Sequence, residues 1–198
     1  TIKKYFEKNG ICFLFAPFFH PILADVAPIR KSLFFRTIFN LLGPLLNPST
    51  PQYQVIGVSN EKNLETHSKC LRDFNIKKAW VVHNFNGYDE LTTVSKNKVV
   101  EINNNRISEI QIIDPKALGF KKHSEKELLG GNAEENAFVM KKVFQGETGP
   151  IKDNIVLNAA AGLVITNNAS NIKEAIEMVN YNITNGIVIK KLNSLIKG

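Results

Sequence analysis

Apolar residues recur along this chain at several spacings, and each spacing predicts its own kind of element. Ile29, Leu33, Ile38 and Leu42 return at helical intervals, and Leu64, His67, Leu71 and Phe74 mark one face of another helix. Short continuous apolar runs read instead as strands: Ile11-Cys-Phe-Leu-Phe-Ala16, which reads as buried, Tyr53–Ser59, and Lys78-Ala-Trp-Val-Val-His83. Residues 2–9 read as the end of a helix stopped by Gly10. Pro17, Pro21 and Pro28 punctuate the connection that follows, and Gly43-Pro44 closes the 29–42 helix. Tyr53–Ser59, the Leu64–Phe74 helix and the 78–83 strand form a βαβ unit, which predicts a parallel pair with a right-handed crossover.

After that unit, Val99–Ile102 and Ile107–Ile112 read as a hairpin turned by Asn103-Asn-Asn105. Three helices are predicted over 132–146, 151–167 and 171–196, the last breaking near Gly186. Asn132 followed three residues later by Glu135 has the form of an N-cap with its reciprocal partner. Glu134 and Glu135 put negative charge at the positive end of that helix, where it would repel a phosphate. Gly130-Gly131 is therefore read as structural and not as a phosphate loop.

Composition narrows the function classes. The 198 residues are 43% hydrophobic and 22% charged, the balance of a globular protein with one sizeable core. A net charge of +7 raises the question of nucleic acid, but only four of the 25 basic residues are Arg. The Lys are scattered singly or in pairs, which reads as a solvated surface and not as a phosphate-binding groove. Cys12 and Cys70 lack metal-ligand spacing and read as buried free thiols, so a reducing, cytoplasmic location is expected. The longest small-apolar run, Ala159-Ala-Ala-Gly-Leu-Val-Ile165, is too short to span a bilayer, so no membrane partner is expected.

Five blocks in order carry a resemblance to a known family: Phe13-Leu-Phe-Ala-Pro17 with His20-Pro21, the segment Ala27–Pro48, Val81-Val-His83 with Gly87-Tyr-Asp-Glu90, Gly130–Ala137, and Leu157-Asn-Ala-Ala160. Together they resemble anthranilate phosphoribosyltransferases over essentially the whole chain. The resemblance implies an α/β fold with a mixed, mainly parallel sheet flanked by helices, plus part of a small all-helical domain, an architecture shared with the nucleoside phosphorylases. It assigns residues 1–17 to the α/β domain, 18–46 to the helical domain and 47–198 to the α/β phosphoribosyltransferase domain.

The implied reaction is Mg2+-dependent transfer of 5-phosphoribose from phosphoribosyl pyrophosphate to anthranilate in tryptophan biosynthesis, releasing pyrophosphate. The implied assembly is a homodimer. Arg30 would bind the anthranilate carboxylate, because a guanidinium offers a planar fork of donors that matches it. His20, Gly43 and Pro44 would line the anthranilate channel. Asp89 and Glu90 would hold Mg2+, and on a loop after Gly87 two adjacent carboxylates can converge as they could not on a regular strand. Read without the family, an acidic pair after Gly is usually just a solvated turn, Arg30 a solvated helix residue, and Gly43-Pro44 a helix stop.

The chain departs from the family at Phe19, Phe34, Asn84 and Tyr88. Asn84 stands where the family usually has Gly, which bears on the geometry of the acidic loop. The Gly-rich pyrophosphate loop, and the Lys, Asn and Ser that family members carry upstream, do not occur here. The chain is therefore expected to be the C-terminal part of a longer enzyme and to be inactive alone. Two rival readings remain: a family look-alike that binds nucleic acid without the biosynthetic activity, and a pyrimidine nucleoside phosphorylase. The first should gather its basic residues into a groove and need not keep Arg30 with Asp89-Glu90; the second does not share these motifs.

Overall fold

The computed structural model describes residues 2–33 and 37–196, without the side chains of Ala24, Ala27, Arg30 and Lys31. It divides into two compact units, Thr1–Thr50 with Leu192–Gly198, and Pro51–Lys191.

The first unit is helical. α1 (Ile2–Asn9) ends where Gly10 turns left-handed at φ 68° and donates its N–H to the Phe6 carbonyl at 2.6 Å. α2 (Ala16–Phe19) and α3 (Pro21–Ser32) each carry a proline at the start, where its missing N–H breaks no bond. Two expectations fail here. Ile11–Ala16 is not a buried strand: no strand pairs with it among the described residues, Phe13 is 81% exposed, and Ala16 already opens α2. A strand needs a neighbour to take its N–H and C=O groups, and this unit supplies none. The helix expected over Ile29–Leu42 starts instead at Pro21 and continues through Pro28 to Ser32, and α4 (Phe39–Leu42) is separate. Phe34 lies outside the described residues. A 3-10 turn, Gly43–Leu45, follows α4 directly.

The second unit contains the buried apolar core. β1 (Tyr53–Gly57), α5 (Asn63–Asp73) and β2 (Lys78–Asn84) make the expected βαβ, with β1 and β2 parallel and Val55 opposite Trp80. α5 buries Leu64, His67 and Leu71 as predicted, but Phe74 caps the helix at 61% exposed. β2 is buried on both faces, which is why it reads as an unbroken apolar run. β3 (Asn97–Asn103) returns antiparallel to β2, then β4 (Arg106–Ile107) and β5 (Gln111–Ile113) both pair antiparallel with β3. The sheet is mixed, as expected; among the described residues one of its strand pairings is parallel and three are antiparallel.

Asn104 and Asn105 adopt φ 47° and 64°, the left-handed pair that a tight hairpin demands. From Ile102↔Ile107 to Val99↔Gln111 the return strand gains one residue on its partner, so a bulge splits the predicted single strand into β4 and β5.

The C-terminal helices follow the predicted pattern: α6 (Ala133–Phe144), α7 (Pro150–Ile165), α8 (Ile172–Thr184) and α9 (Ile187–Ile196), with Gly186 left-handed at the break. The Asn132–Glu135 capping box is formed. A side chain on Gly131 would strike the Glu135 carboxylate that reaches back to accept the Asn132 N–H. α7 lays Leu157, Ala160, Ala161 and Val164 on Trp80, Val82 and Val99 of the sheet. Lys78 donates to the Val164 carbonyl at 3.1 Å, a cation at the negative end of α7. Cys12 and Cys70 are free but half-buried, not fully buried as expected. Among the described residues no helix is long and apolar enough to cross a membrane.

Candidate functional site: the acidic loop beyond β2

β1 and β2 point the same way, so the segments after them meet at one edge of the sheet, the edge where open α/β sheets take ligands. The segment after β2 carries Asp89-Glu90. It turns at Gly87, φ 91°, and closes through Gly87 N–H to the Asn84 carbonyl at 2.8 Å and Asn84 N–H to the Tyr88 carbonyl at 3.0 Å. The Asp89 backbone then passes directly over β1: a Cβ added to Gly57 would lie 1.4 Å from the Asp89 carbonyl oxygen. Glycine at 57 is what lets the loop lie down on the strand.

Asn84 fastens the loop from inside. It is fully buried, and its Nδ2 donates to Thr92 Oγ1 at 2.8 Å and Asn97 Oδ1 at 2.9 Å. Its Oδ1 accepts from Asn86 N–H and Ser95 Oγ, both at 2.9 Å. Asn97, also fully buried, accepts Thr92 N–H at 2.9 Å and donates to the Thr92 carbonyl at 3.0 Å. The departure from family glycine at Asn84 is therefore a side chain that organises the loop from within. His83 is occupied structurally, its Nδ1 2.8 Å from the Val58 carbonyl.

α7 holds the far side. Asn158 accepts Leu91 N–H at 3.2 Å and donates to the Leu91 carbonyl at 2.7 Å. One turn earlier, Asn154 accepts Thr93 N–H at 3.1 Å. The Asn154 side chain lines the same cleft as Glu90. Glu90 lines a cleft of about 260 Å3 with Leu128, Val139, Met140 and Ile151. Loss of water there pushes its carboxyl above the usual glutamate range, the Asp89 charge pushes the same way, and the polar Asn154 amide nearby opposes both. The Tyr88 hydroxyl is pushed up, first by desolvation and then by the Glu125 carboxylate beside it.

Among the described residues neither Asp89 nor Glu90 has an ion-pair partner, and no third His, Cys, Asp or Glu joins them into a metal cluster. Two uncompensated carboxylates, one of them partly dehydrated, suit a hard divalent cation that takes its remaining ligands from water and phosphate oxygens.

In the first unit His20 is committed on one side, with Nε2 2.7 Å from the Leu46 carbonyl. α4 ends at Leu42 as the sequence suggests; Gly43, its C-cap, stays right-handed at φ −46° and opens the 3-10 turn. A Cβ there would meet nothing within 4 Å, which leaves its α-carbon open to approach. Pro44 follows it in the 3-10 turn. Arg30 lies on α3, its side chain outside those described. Sequence reading missed Gly57, Asn97, Asn154 and Asn158 as loop anchors. The one signal available was the spacing of Asn154 and Asn158, which puts two amides on one face of an otherwise apolar helix.

A mixed sheet clad in helices, with an acidic loop at the carboxyl end of its parallel pair, is the frame of an α/β transferase. The chain belongs to the family described as "Glycosyl transferase family, a/b domain", which matches residues 1–189. It is 40% identical over 196 residues to the anthranilate phosphoribosyltransferase of Acetivibrio thermocellus, covering 99% of this chain and 56% of that protein. It is 38% identical to that of Petrotoga mobilis, covering 100% of this chain and 57% of that protein. In structure it is similar to anthranilate phosphoribosyltransferase from Thermus thermophilus, with a TM-score of 0.90 at 32% identity over 99% of this chain and 58% of that one. The Saccharomyces cerevisiae enzyme in complex with PRPP and Mg gives a TM-score of 0.91 at 28% identity over 100% of this chain and 57% of that one. The chain thus spans a little over half the length of the relatives it matches.

Proposed function

We propose that the protein carrying this chain transfers 5-phosphoribose from phosphoribosyl pyrophosphate to anthranilate and releases pyrophosphate. The observation that carries the reading is the Asp89-Glu90 pair, set beyond β2 on a loop that Gly57, Asn84, Asn97, Asn154 and Asn158 all hold, with no cation of the described chain to neutralise it. Its relatives' names and the Mg- and PRPP-bound yeast structure support the same assignment.

In this reading Asp89 and Glu90 hold Mg2+ together with the pyrophosphate. The ion supplies charge neutralisation to the departing anion. The acidic loop itself neither donates nor takes a proton: it fixes where two carboxylates stand, and positioning with electrostatic stabilisation is the whole of its contribution. Arg30 receives the anthranilate carboxylate, and His20, Gly43 and Pro44 line the aromatic ring's approach. The described residues include no Gly-rich loop for the pyrophosphate, so this chain alone carries out no transfer. The full protein works as a homodimer in the cytoplasm.

The test is the loss of anthranilate fluorescence on adding phosphoribosyl pyrophosphate and Mg2+ to the protein carrying this chain at the length of its relatives. Loss that requires all three components is the expected result. No loss that depends on phosphoribosyl pyrophosphate overturns the proposal.

A further inference from the structure

The Asp89-Glu90 pair lies between two points where the loop is tied to other elements. After the pair, Leu91 is held by Asn158 of α7 through both its N–H and its carbonyl. Before it, at the turn, Asn86 Nδ2 donates to Glu125 Oε1 at 2.6 Å. Glu125 opens a 3-10 turn, Glu125–Leu128, in the connection between β5 and α6. That turn is itself held. The Glu127 carboxylate accepts the Ser124 N–H at 2.7 Å and the Ser124 hydroxyl at 2.8 Å. His123, largely buried, sets Nε2 2.9 Å from Asp153 Oδ2 on the first turn of α7. At the other end of the 3-10 turn, Leu128 lines the cleft that holds Glu90. Loop, 3-10 turn and α7 are thus joined pairwise, and the two carboxylates stand in the stretch between two of the ties.

The Asn86 backbone is fixed independently. Its N–H goes to Asn84 Oδ1 at 2.9 Å, and the Gly87 N–H goes to the Asn84 carbonyl at 2.8 Å. The side-chain amide is left to reach outward, and a carboxylate acceptor makes its bond about twice as strong as a neutral one. We propose that Glu125 is a positioning residue for the acidic pair: by accepting from Asn86 it anchors the turn of the loop to the connection before α6, and so fixes where Asp89 and Glu90 stand for a divalent cation. Glu125 acts through this bond and not as a third ligand; among the described residues no third His, Cys, Asp or Glu groups with the pair into a metal cluster.

This inference rests on the proposed metal role of Asp89 and Glu90, and the experiment separates the two. Mn2+ binding is followed by electron paramagnetic resonance on the protein at the length of its relatives. Phosphoribosyl pyrophosphate is present, and the same mixture without protein is the baseline. Each variant is also melted. Two variants set position against charge. Asn86→Asp adds a negative charge near the pair, which alone would tighten Mn2+ binding, but it replaces the donor with an acceptor facing Glu125. Glu125→Gln removes a negative charge, which alone would weaken binding, but it keeps an amide oxygen to accept from Asn86.

The expected result is binding weakened roughly fivefold or more by Asn86→Asp and by Glu125→Ala, the scale of one net hydrogen bond, with Glu125→Gln within about twofold of the parent. Because the bond is exposed to solvent, these variants should melt close to the parent and keep its KM for anthranilate. Unchanged or tighter binding in Asn86→Asp, with Glu90→Gln impaired, overturns the positioning role and leaves the metal role standing. Equal losses in Glu125→Gln and Glu125→Ala overturn it too, since charge and not anchoring would then be what Glu125 supplies. If Asp89→Asn and Glu90→Gln both bind Mn2+ as the parent does, the metal role falls and the inference falls with it.

Discussion

The carbonyl oxygen of Asp89 occupies the place where a side chain on Gly57 would begin. A strand residue and a loop residue far apart in sequence are thereby in backbone contact, and that contact fixes the height of the acidic pair above the sheet edge. Gly57→Ala must displace the loop or the strand. Overpacking of this kind costs typically about 1–3 kcal/mol. The expected outcome is a lower melting temperature together with a large loss of transfer activity in the full protein. An unchanged activity in a folded Gly57→Ala protein would show that the loop's height is immaterial.

Asn84 offers a test of the loop's interior. Its amide serves Thr92, Asn97, Asn86 and Ser95 at once. Asn84→Ala leaves several buried groups without partners, at about 1–3 kcal/mol for each that water cannot reach. Asn84→Gly, although it restores the family's usual residue, should destabilise comparably, because the surrounding partners here are built for an amide. Urea unfolding midpoints of the two variants compare them directly.

Glu90 gives a pH dependence whose sign can be worked out. Its carboxyl is raised by desolvation and by Asp89, so the folded chain binds that proton more tightly than the unfolded chain does. The stability tied to neutral Glu90 is complete below the ordinary glutamate range and is lost as pH rises through the elevated value. Glu90→Gln, neutral at every pH, should therefore melt higher than the parent chain near neutrality. The advantage should vanish in acid, where both are neutral. Melting curves from acid to neutral pH read it, and a variant that melts lower than the parent at neutral pH contradicts the sign.

Arg30 is placed by its motif on α3. Loss of a hydrogen bond to a charged group costs about 1.5–3 kcal/mol, so Arg30→Ala should raise the KM for anthranilate roughly tenfold or more in the full protein. The KM for phosphoribosyl pyrophosphate should move little. Equal effects on both would point to a folding defect.

The helical unit predicts the behaviour of the isolated chain. Phe13, Phe18 and Ile22 are 81%, 83% and 73% exposed, and none of its described apolar side chains is buried. Exposed apolar surface of this kind drives association. The chain alone should elute heavier than a monomer in size-exclusion chromatography; a sharp monomer peak would refute this.

What the sequence made legible was whatever neighbours in sequence decide. The Asn132–Glu135 box, the left-handed Asn104-Asn105 turn and the break at Gly186 each need only residues within a few positions. The parallel pair was legible because a strand, a helix and a strand leave little other choice. Ile11–Ala16 misled because an apolar run says nothing about whether a neighbour strand is present. The long helix misled because α3 runs through Pro28, a residue that normally ends one. Of the candidate site, the acidic pair was visible by motif. Its anchors were not, since Gly57, Asn97, Asn154 and Asn158 acquire meaning only once the sheet and α7 bring them to the loop.

The side chains that fasten the acidic loop are mostly amides, carrying no net charge at any pH the fold survives. Ionic strength screens charges and scarcely touches a buried amide. The loop should therefore keep one shape from dilute buffer to high salt, while the field of its two carboxylates fades with added salt. Holding shape and charge on separate groups lets the strength of cation attraction vary with conditions without the carboxylates losing their aim.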